Sequence, residues 1–216
     1  MKHTSLFKLW AVLLMTGLSF SFVACGDEEE EIGPNIPGAK EISTDEDKNG
    51  FYDGTFYYRI GNMDSHTLIV SGPSKSLSGS PTVPTYIKLT SANLPKELRT
   101  TYTVTYIGDW SLIDSSIKTI YFPETLTKIG KDAFFRCTNL TKITLPSAIK
   151  EIGDNAFLSC NNLKTVYCYA LTPPVNDDAF SYYTTSGGTL HVPAASLSLY
   201  KSNSQWNDFS VIVGDL

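Results

Sequence analysis

Histidine, cysteine and short serine–lysine motifs are the residues of this sequence that could support chemistry. Apart from His3 at the extreme N-terminus, the histidines are His66 and His191, which lie far apart in the chain. Metal sites usually combine clustered Cys, His or carboxylate ligands, and no such spacing surrounds either residue. We therefore expect no metal site and interpret both histidines as incidental.

Cys137 and Cys160 occupy equivalent positions, 23 residues apart, in two similar segments. If those segments form neighbouring strands, about 4.8 Å apart, the two Cα atoms fall within the range of a disulfide. Cysteine is also a common small, buried apolar residue, so free thiols are the alternative that we favour. An oxidising compartment would keep the disulfide possible. We interpret Cys168 as a further core residue.

Two Ser-x-x-Lys motifs, at 115–118 and 198–201, match the short motif of penicillin-binding enzymes, but the Ser-Asp-Asn and Lys-Thr-Gly partners are missing. The sequence contains no phosphate-binding loop or paired-glycine nucleotide motif. Residues 51–216 carry 13 acidic and 13 basic residues, so no basic stripe favours nucleic acid. The sequence therefore predicts a non-catalytic protein that uses no cofactor and binds no nucleic acid.

Residues 120–165 contain two successive copies of one 23-residue pattern, which shares Ile, Pro, Ile-Gly, Ala-Phe, Cys and Asn-Leu. A fixed period of this length is typical of a solenoid, and Leu140-x-x-Ile143-x-Leu145 matches the strand of a leucine-rich repeat. Since side chains alternate along a strand, four columns should face inward: 120/143/166, 122/145/168, 126/149/172 and 129/152/175. One coil cannot bury its own apolar face, so we predict stacked coils joined by short parallel strands.

After each strand the chain must turn back. We expect a left-handed turn residue in the column of Gly130, Gly153 and Asn176, because glycine and asparagine accept positive φ most readily. Asp132, Asn155 and Asp178 should cap a one-turn helix or 3₁₀ segment. Alanines at 133, 156 and 179 allow close packing, and phenylalanines at 134, 157 and 180 should fill the coil interior.

The full motif is Leu-x-x-Ile-x-Leu-Pro-x-x-Ile-x-x-Ile-Gly-x-x-Ala-Phe-x-x-Cys-x-Asn-Leu. It resembles the repeat of the BspA-like leucine-rich repeat family of bacterial surface proteins, closely over residues 117–165 and loosely over 166–180. The resemblance implies a leucine-rich repeat solenoid and a surface module that binds host or microbial proteins in adhesion. It also implies a β-rich N-terminal cap and a small C-terminal cap.

The N-terminus has the features of an exported, lipid-anchored protein. Residues 1–24 form a positively charged start and an apolar core, which predicts a signal peptide. The segment Phe22-Val23-Ala24-Cys25 resembles a lipoprotein processing box, which predicts lipidation at Cys25. Residues 26–50 carry nine acidic and two basic residues, so we predict that residues 25–50 form an acidic, disordered tether. The acidic run directly after Cys25 resembles the export tag of surface-displayed outer-membrane lipoproteins, and this resemblance implies a lipid-anchored protein at the surface of an outer membrane.

Three segments complete the predicted domain. Residues 51–106 are rich in β-forming residues, with a tight turn at Asp53-Gly54, and should form an N-terminal β cap. Residues 107–189 should form the repeat coils, the third of which departs from the pattern. Residues 190–216 should form a small C-terminal cap with a short helix over 194–203, and Trp206 and Phe209 should close the open end of the core.

Alternation places one set of side chains on the outer face of the stacked strands. Solenoids commonly bind partners through this face, and tyrosine offers a large contact area with a polar tip. The candidate ligand-binding residues are Tyr121, Lys142, Thr144, Tyr167 and Tyr169. The first hypothesis is a surface adhesion module that binds an extracellular or host protein. The alternatives are a glycan-binding accessory lipoprotein of a nutrient-uptake system and a structural role in the envelope.

Overall fold

The computed structural model describes residues 39–42, 50–73, 77–176 and 178–216. The predicted signal peptide, the lipidation site at Cys25 and most of the predicted tether lie outside these residues. Within the described residues, every helix is too short or too polar to cross a membrane.

The described residues form fifteen strands, most of them short. The strands are β1 (Lys40–Ile42), β2 (Phe51–Tyr52), β3 (Phe56–Asn62), β4 (Thr67–Pro73), β5 (Ser78–Gly79), β6 (Tyr86–Leu89), β7 (Thr101–Ile107), β8 (Ser116–Ile117), β9 (Lys128–Ile129), β10 (Lys142–Leu145), β11 (Glu151–Ile152), β12 (Thr165–Cys168), β13 (Val175–Asn176), β14 (Thr189–Val192) and β15 (Val211–Gly214). The α-helices are α1 (Tyr182–Gly187) and α2 (Leu197–Ser202), and 3₁₀ helices span Lys96–Leu98 and Ala194–Ser196.

The N-terminal segment contains several paired strands. Strands β2, β3 and β4 are antiparallel neighbours. The Asp53 carboxylate holds the turn between β2 and β3 by accepting hydrogen bonds from the backbone N–H groups of Thr55 and Phe56, both at 2.7 Å. Strand β4 then pairs in parallel with β7, and β7 pairs in parallel with β9. One continuous sheet therefore joins the N-terminal hairpins to the repeat coils.

Two parallel ladders run along the coils. In the first, β7, β9, β11 and β13 pair so that Lys128 faces Tyr106, Glu151 faces Lys128 and Val175 faces Glu151. In the second, β10, β12, β14 and β15 pair in order. Thr144 is opposite Tyr167 there, as the 23-residue period predicts. The predicted solenoid of short parallel strands is therefore present in the described residues.

The phenylalanines of successive coils form a continuous aromatic column, which we define as Phe134, Phe157 and Phe180. The ring of Phe157 stacks on Phe134 at a centroid distance of 5.0 Å and on Phe180 at 5.2 Å. Phe134 and Phe157 are completely buried. Trp206 and Phe209 pack against the half-buried ring of Phe180, at 5.7 and 5.3 Å. The C-terminal segment thus covers the end of the column.

The turn residues differ from the prediction. Positive φ occurs in the column of Asp132, Asn155 and Asp178, with φ of 52°, 56° and 49°, and these residues cap no helix. Gly130 and Gly153 have no positive φ. A Cβ on Gly153 would lie 2.7 Å from the backbone nitrogen of Lys131 in the preceding coil. These glycines are therefore needed because neighbouring backbones approach closely, and the left-handed assignment at 130, 153 and 176 was wrong.

The third coil contains one extra residue before its strand. Asn176, rather than Val175, is opposite Ile152, and Val175 and Thr172 are exposed. The predicted inward position of residues 172 and 175 was therefore wrong. Asn176 is buried, and its side-chain amide donates to the carbonyl oxygen of Gln205 at 2.8 Å. Asn176 therefore connects the C-terminal segment to the last coil through this hydrogen bond.

The cysteines of the described residues are free and buried. The Sγ atoms of Cys137 and Cys160 each donate to a backbone carbonyl of the preceding coil, on Leu112 and Phe134, both at 3.1 Å. Burial raises the pKa of the Cys168 thiol. The thiols therefore serve as small core residues with local hydrogen bonds, which is the alternative that the sequence favoured.

Part of the predicted tether is structured. Strand β1 pairs in parallel with β6, and Ile42 is buried in the core. Lys40 also lies 2.9 Å from the Asp53 carboxylate. The prediction of disorder across 25–50 is therefore wrong for residues 40–42. These residues are held by pairing with β6 and by burial of the Ile42 side chain.

Candidate binding face

The outward side chains of β10, β12 and β14 form one surface, which we call the strand face. Burial alternates along all three strands, so every second side chain points away from the core. The strand face consists of Lys142, Thr144, Thr165, Tyr167, Thr189 and His191. Pairing brings residues that are 23 or 24 positions apart in sequence into direct register.

Three side chains of the strand face form a row of contacts. The Nζ atom of Lys142 lies 5.9 Å from the ring centroid of Tyr167. The Tyr167 ring stacks on the imidazole of His191 at 4.5 Å with an interplanar angle of 24°. Cation–π contacts at exposed sites contribute about 0.5–1 kcal/mol. The row therefore presents two stacked aromatic rings, of Tyr167 and His191, with the ammonium of Lys142 beside them.

Asp215, next to the last residue of the sequence, fixes the orientation of the His191 ring. Its Nδ1 lies 2.9 Å from Oδ2 of Asp215 and 3.0 Å from Oδ1. Because an ionised carboxylate can only accept, the Nδ1 proton is placed in this hydrogen bond and Nε2 remains available. The sequence interpretation of His191 as incidental missed this arrangement. The available signal was its position 24 residues after Tyr167, which continues the outward column.

The remaining candidate residues, Tyr169 and Tyr121, are both exposed. Tyr169 follows β12 on the same side of the chain as Tyr167 and is 45% exposed. Tyr121 is 52% exposed, and its backbone pairs with residues 81–83 of the N-terminal segment. The structure therefore brings Lys142, Thr144 and Tyr167 together on paired strands, whereas Tyr121 is held by a different part of the chain.

The chemistry of the strand face suits binding. It offers two aromatic rings for stacking, an ammonium, an imidazole nitrogen and flanking threonine hydroxyls. Among the described residues, the side-chain hydrogen bonds of His191 go to Asp215, so no hydroxyl or thiol nucleophile is paired with this imidazole. No group of three His, Cys, Asp or Glu residues in the same described part could hold a metal ion.

Three solved structures resemble the chain. A leucine rich cell surface protein from Faecalibacterium prausnitzii is 24% identical, with a TM-score of 0.48, covering 68% of this chain and 43% of its own. A leucine-rich repeat protein from Bacteroides capillosus is 18% identical, with a TM-score of 0.49, covering 78% and 100%. The pneumococcal vaccine antigen PcpA is 16% identical, with a TM-score of 0.41, covering 73% and 52%.

This chain spans less than half of the Faecalibacterium protein. No curated protein matches the sequence. A family model described as a BspA type leucine rich repeat region matches residues 86–200 in six copies, which is more than half of the chain. The matched residues extend beyond the coils predicted at 107–189 on both sides. The description of the family model names no enzymatic activity. The chain belongs to the BspA-type leucine-rich repeat family.

Proposed function

We propose that this chain is a non-catalytic binding protein of the bacterial surface that contacts an extracellular or host protein through the strand face. The observation that carries the proposal is the row of Lys142, Tyr167 and His191, which are held in contact on adjacent strands. Large aromatic side chains with a charged neighbour are typical of the residues that dominate protein interfaces. Thr144 belongs to the same face, Tyr169 extends it, and Tyr121 adds a further exposed ring.

The proposed location rests on the N-terminal sequence. A signal peptide over 1–24, a lipid on Cys25 and an acidic tether would hold the folded domain away from an outer membrane. One acyl chain gives only marginal membrane binding, whereas several chains on one cysteine give stable anchoring. Replacing Cys25 with alanine should move the protein from the membrane fraction to the soluble fraction. Retention of the Cys25→Ala protein in the membrane would contradict the lipid anchor.

The binding proposal is tested with a soluble chain that lacks residues 1–25. This boundary keeps β1, which packs into the folded domain. The soluble chain is used to capture extracellular-matrix and bacterial surface proteins. Captured proteins are then titrated against Tyr167→Ala and Tyr121→Ala. Tyr167→Ala should weaken binding at least tenfold, since truncated central aromatic residues often cost 2 kcal/mol or more. Tyr121→Ala should weaken it less.

Tyr183→Ala is a matched control, because Tyr183 is an exposed tyrosine that lies outside the strand face. It should bind the same partner with unchanged affinity. Equal affinity of the Tyr167→Ala and Tyr183→Ala chains would exclude the strand face as the binding surface. Retention of glycans but of no protein would contradict the protein-binding function itself.

A further inference from the structure

A polar cleft of about 440 Å³ lies where the second and third coils meet the C-terminal segment. Its volume falls within the range of about 300–1,000 Å³ that is usual for small-ligand sites. Its rim includes Asn155, Asp178, Tyr182 and Asp208, and its floor includes Ala179 and the half-buried ring of Phe180. No residue of the strand face lines the cleft, so it is a separate site.

The polar side chains at the rim are not used by the fold. Within residues 39–42, 50–73, 77–176 and 178–216, the side chains of Asn155, Asp178 and Asp208 make no hydrogen bond or ion pair. By contrast, Asn176 and Gln205 in the same cleft are hydrogen-bonded to each other, at 2.8 Å between the Asn176 amide and the Gln205 carbonyl oxygen. The cleft therefore combines a fixed inner wall with two carboxylates and one amide that are free to bind.

Tyr182 supplies an aromatic surface beside these groups. Its side chain is 76% exposed and meets the Tyr183 ring edge-on, at a centroid distance of 6.1 Å. The interior of this coil is filled instead by Phe180 and by the buried Thr184. Packing therefore does not explain the aromatic residue at 182, whose equivalents in the two preceding coils are Arg136 and Ser159.

We propose that the polar cleft binds a neutral saccharide. Carboxylates accept hydrogen bonds from sugar hydroxyls, amides both donate and accept, and an aromatic face stacks on the apolar face of a sugar ring. The cleft contains Asp178 and Asp208 but no lysine or arginine among its lining residues, so an anionic ligand would be repelled. This site goes beyond the proposed protein-binding function and does not depend on it.

Two other ligand classes fit the cleft less well. No cluster of three metal-ligating side chains occurs among the described residues, so a bound metal ion is not favoured. A lysine-rich peptide would match the two carboxylates through its ammonium groups, but these groups only donate, whereas the cleft also contains an amide, on Asn155, that both donates and accepts. A polyhydroxylated ligand both donates and accepts, so it matches the carboxylates and the amide together.

The test applies the full-length chain, purified in detergent, to an array of neutral oligosaccharides. Acidic oligosaccharides and a lysine-rich peptide serve as comparison probes. The neutral set should be bound preferentially. Asp178→Asn and Asp208→Asn should each weaken that binding at least tenfold, because each removes a charge-assisted hydrogen bond. Tyr182→Ala should also weaken it at least tenfold, because it removes the stacking surface.

Two matched controls make the same chemical changes outside the cleft. Tyr183→Ala removes the neighbouring exposed tyrosine, and Asp64→Asn removes an exposed carboxylate of the N-terminal hairpin. Both should retain saccharide binding within twofold, as should Tyr167→Ala. An array without neutral ligands, tighter binding of the acidic or lysine-rich probe, or equal losses in the controls would overturn the proposal. The strand face would still be tested separately by protein capture.

Discussion

Truncation of Phe157 tests the aromatic column that holds the coils together. The Phe157 ring is completely buried and lies nearly parallel to both neighbours, at interplanar angles of 10° to Phe134 and 9° to Phe180. Its backbone N–H also donates to the carbonyl oxygen of Ala179 at 2.7 Å. The residue is therefore fixed on both sides, and the surrounding coils have little freedom to collapse into the space that alanine would leave.

The expected cost of Phe157→Ala is about 3–5 kcal/mol, the range for buried phenylalanine truncation. This includes the loss of two stacked pairs, which contribute roughly 0.5–1.5 kcal/mol each beyond the buried area. A protein of this size loses about 2–4 °C in melting temperature per kcal/mol, so we expect a decrease of roughly 6–20 °C. Since total stability is usually about 5–15 kcal/mol, this change would remove a large part of it.

The measurement is urea unfolding of the chain lacking residues 1–25, followed by circular dichroism and by the fluorescence of the buried Trp206, which packs on Phe180. Phe157→Leu keeps most of the side-chain volume and should cost clearly less than alanine. Tyr183→Ala, at an exposed position, should change stability by less than about 0.5 kcal/mol. A loss below about 1 kcal/mol in Phe157→Ala would refute the aromatic column as the core of the coils.

Three further predictions follow from the turns and the core. Gly153→Ala should destabilise the protein by about 1–3 kcal/mol, because its Cβ would meet backbone atoms, whereas Gly187→Ala meets only the flexible end of Lys164 and should be tolerated; equal urea midpoints would contradict this. Burial raises the pKa of the Asp132 carboxyl, so stability is lost as pH rises through that pKa. Asp132→Asn should therefore raise the urea midpoint at about pH 7 but not at about pH 3, while Asp178→Asn, at an exposed position, should change neither. In the chain lacking residues 1–25, a thiol reagent should detect three thiols only after unfolding, and fewer would indicate a disulfide.

The sequence predicted the core because each inward position recurs with the same residue type. Ile143 and Leu145 lie opposite Val166 and Cys168, 23 residues later. It failed at Val175, since six residues, 169–174, separate the two strands of the third coil where the preceding coil has five, 146–150. A periodic pattern predicts register only while the period holds. The insertion displaces residues 175 and 176, and the 23-residue spacing returns at Phe180, which pairs with Phe157.

The glycine columns show a different limit of sequence reasoning. Glycine is required either where φ is positive or where another backbone approaches closely, and the residue type does not distinguish these causes. At Gly130 and Gly153 the cause is the neighbouring coil, whereas Asp132 and Asn155 adopt the left-handed conformation. The contact that decides the question joins residues about 22 positions apart, so local sequence cannot reveal it.

The candidate site was only partly predictable for a related reason. Alternation along single strands identified Lys142, Thr144 and Tyr167, but His191 belongs to a strand whose spacing from β12 is 24 residues. Its orientation depends on Asp215, which follows a helix and a further strand. The strand face is therefore a product of strand pairing and of the C-terminal return of the chain.

The departures of the third coil from the repeat have a common physical consequence. A perfect fourth copy would present another open apolar edge, since each coil buries its interior against the next. The extra residue instead turns Asn176 inward, where it bonds to Gln205, and the indole Nε1 of Trp206 donates to the carbonyl oxygen of Pro174 at 2.8 Å. These bonds close the stack, and Asn176 and Gln205 also line the polar cleft. Residues that depart from the repeat where the stack ends, among them Asn176 and Tyr182, therefore line the proposed saccharide site.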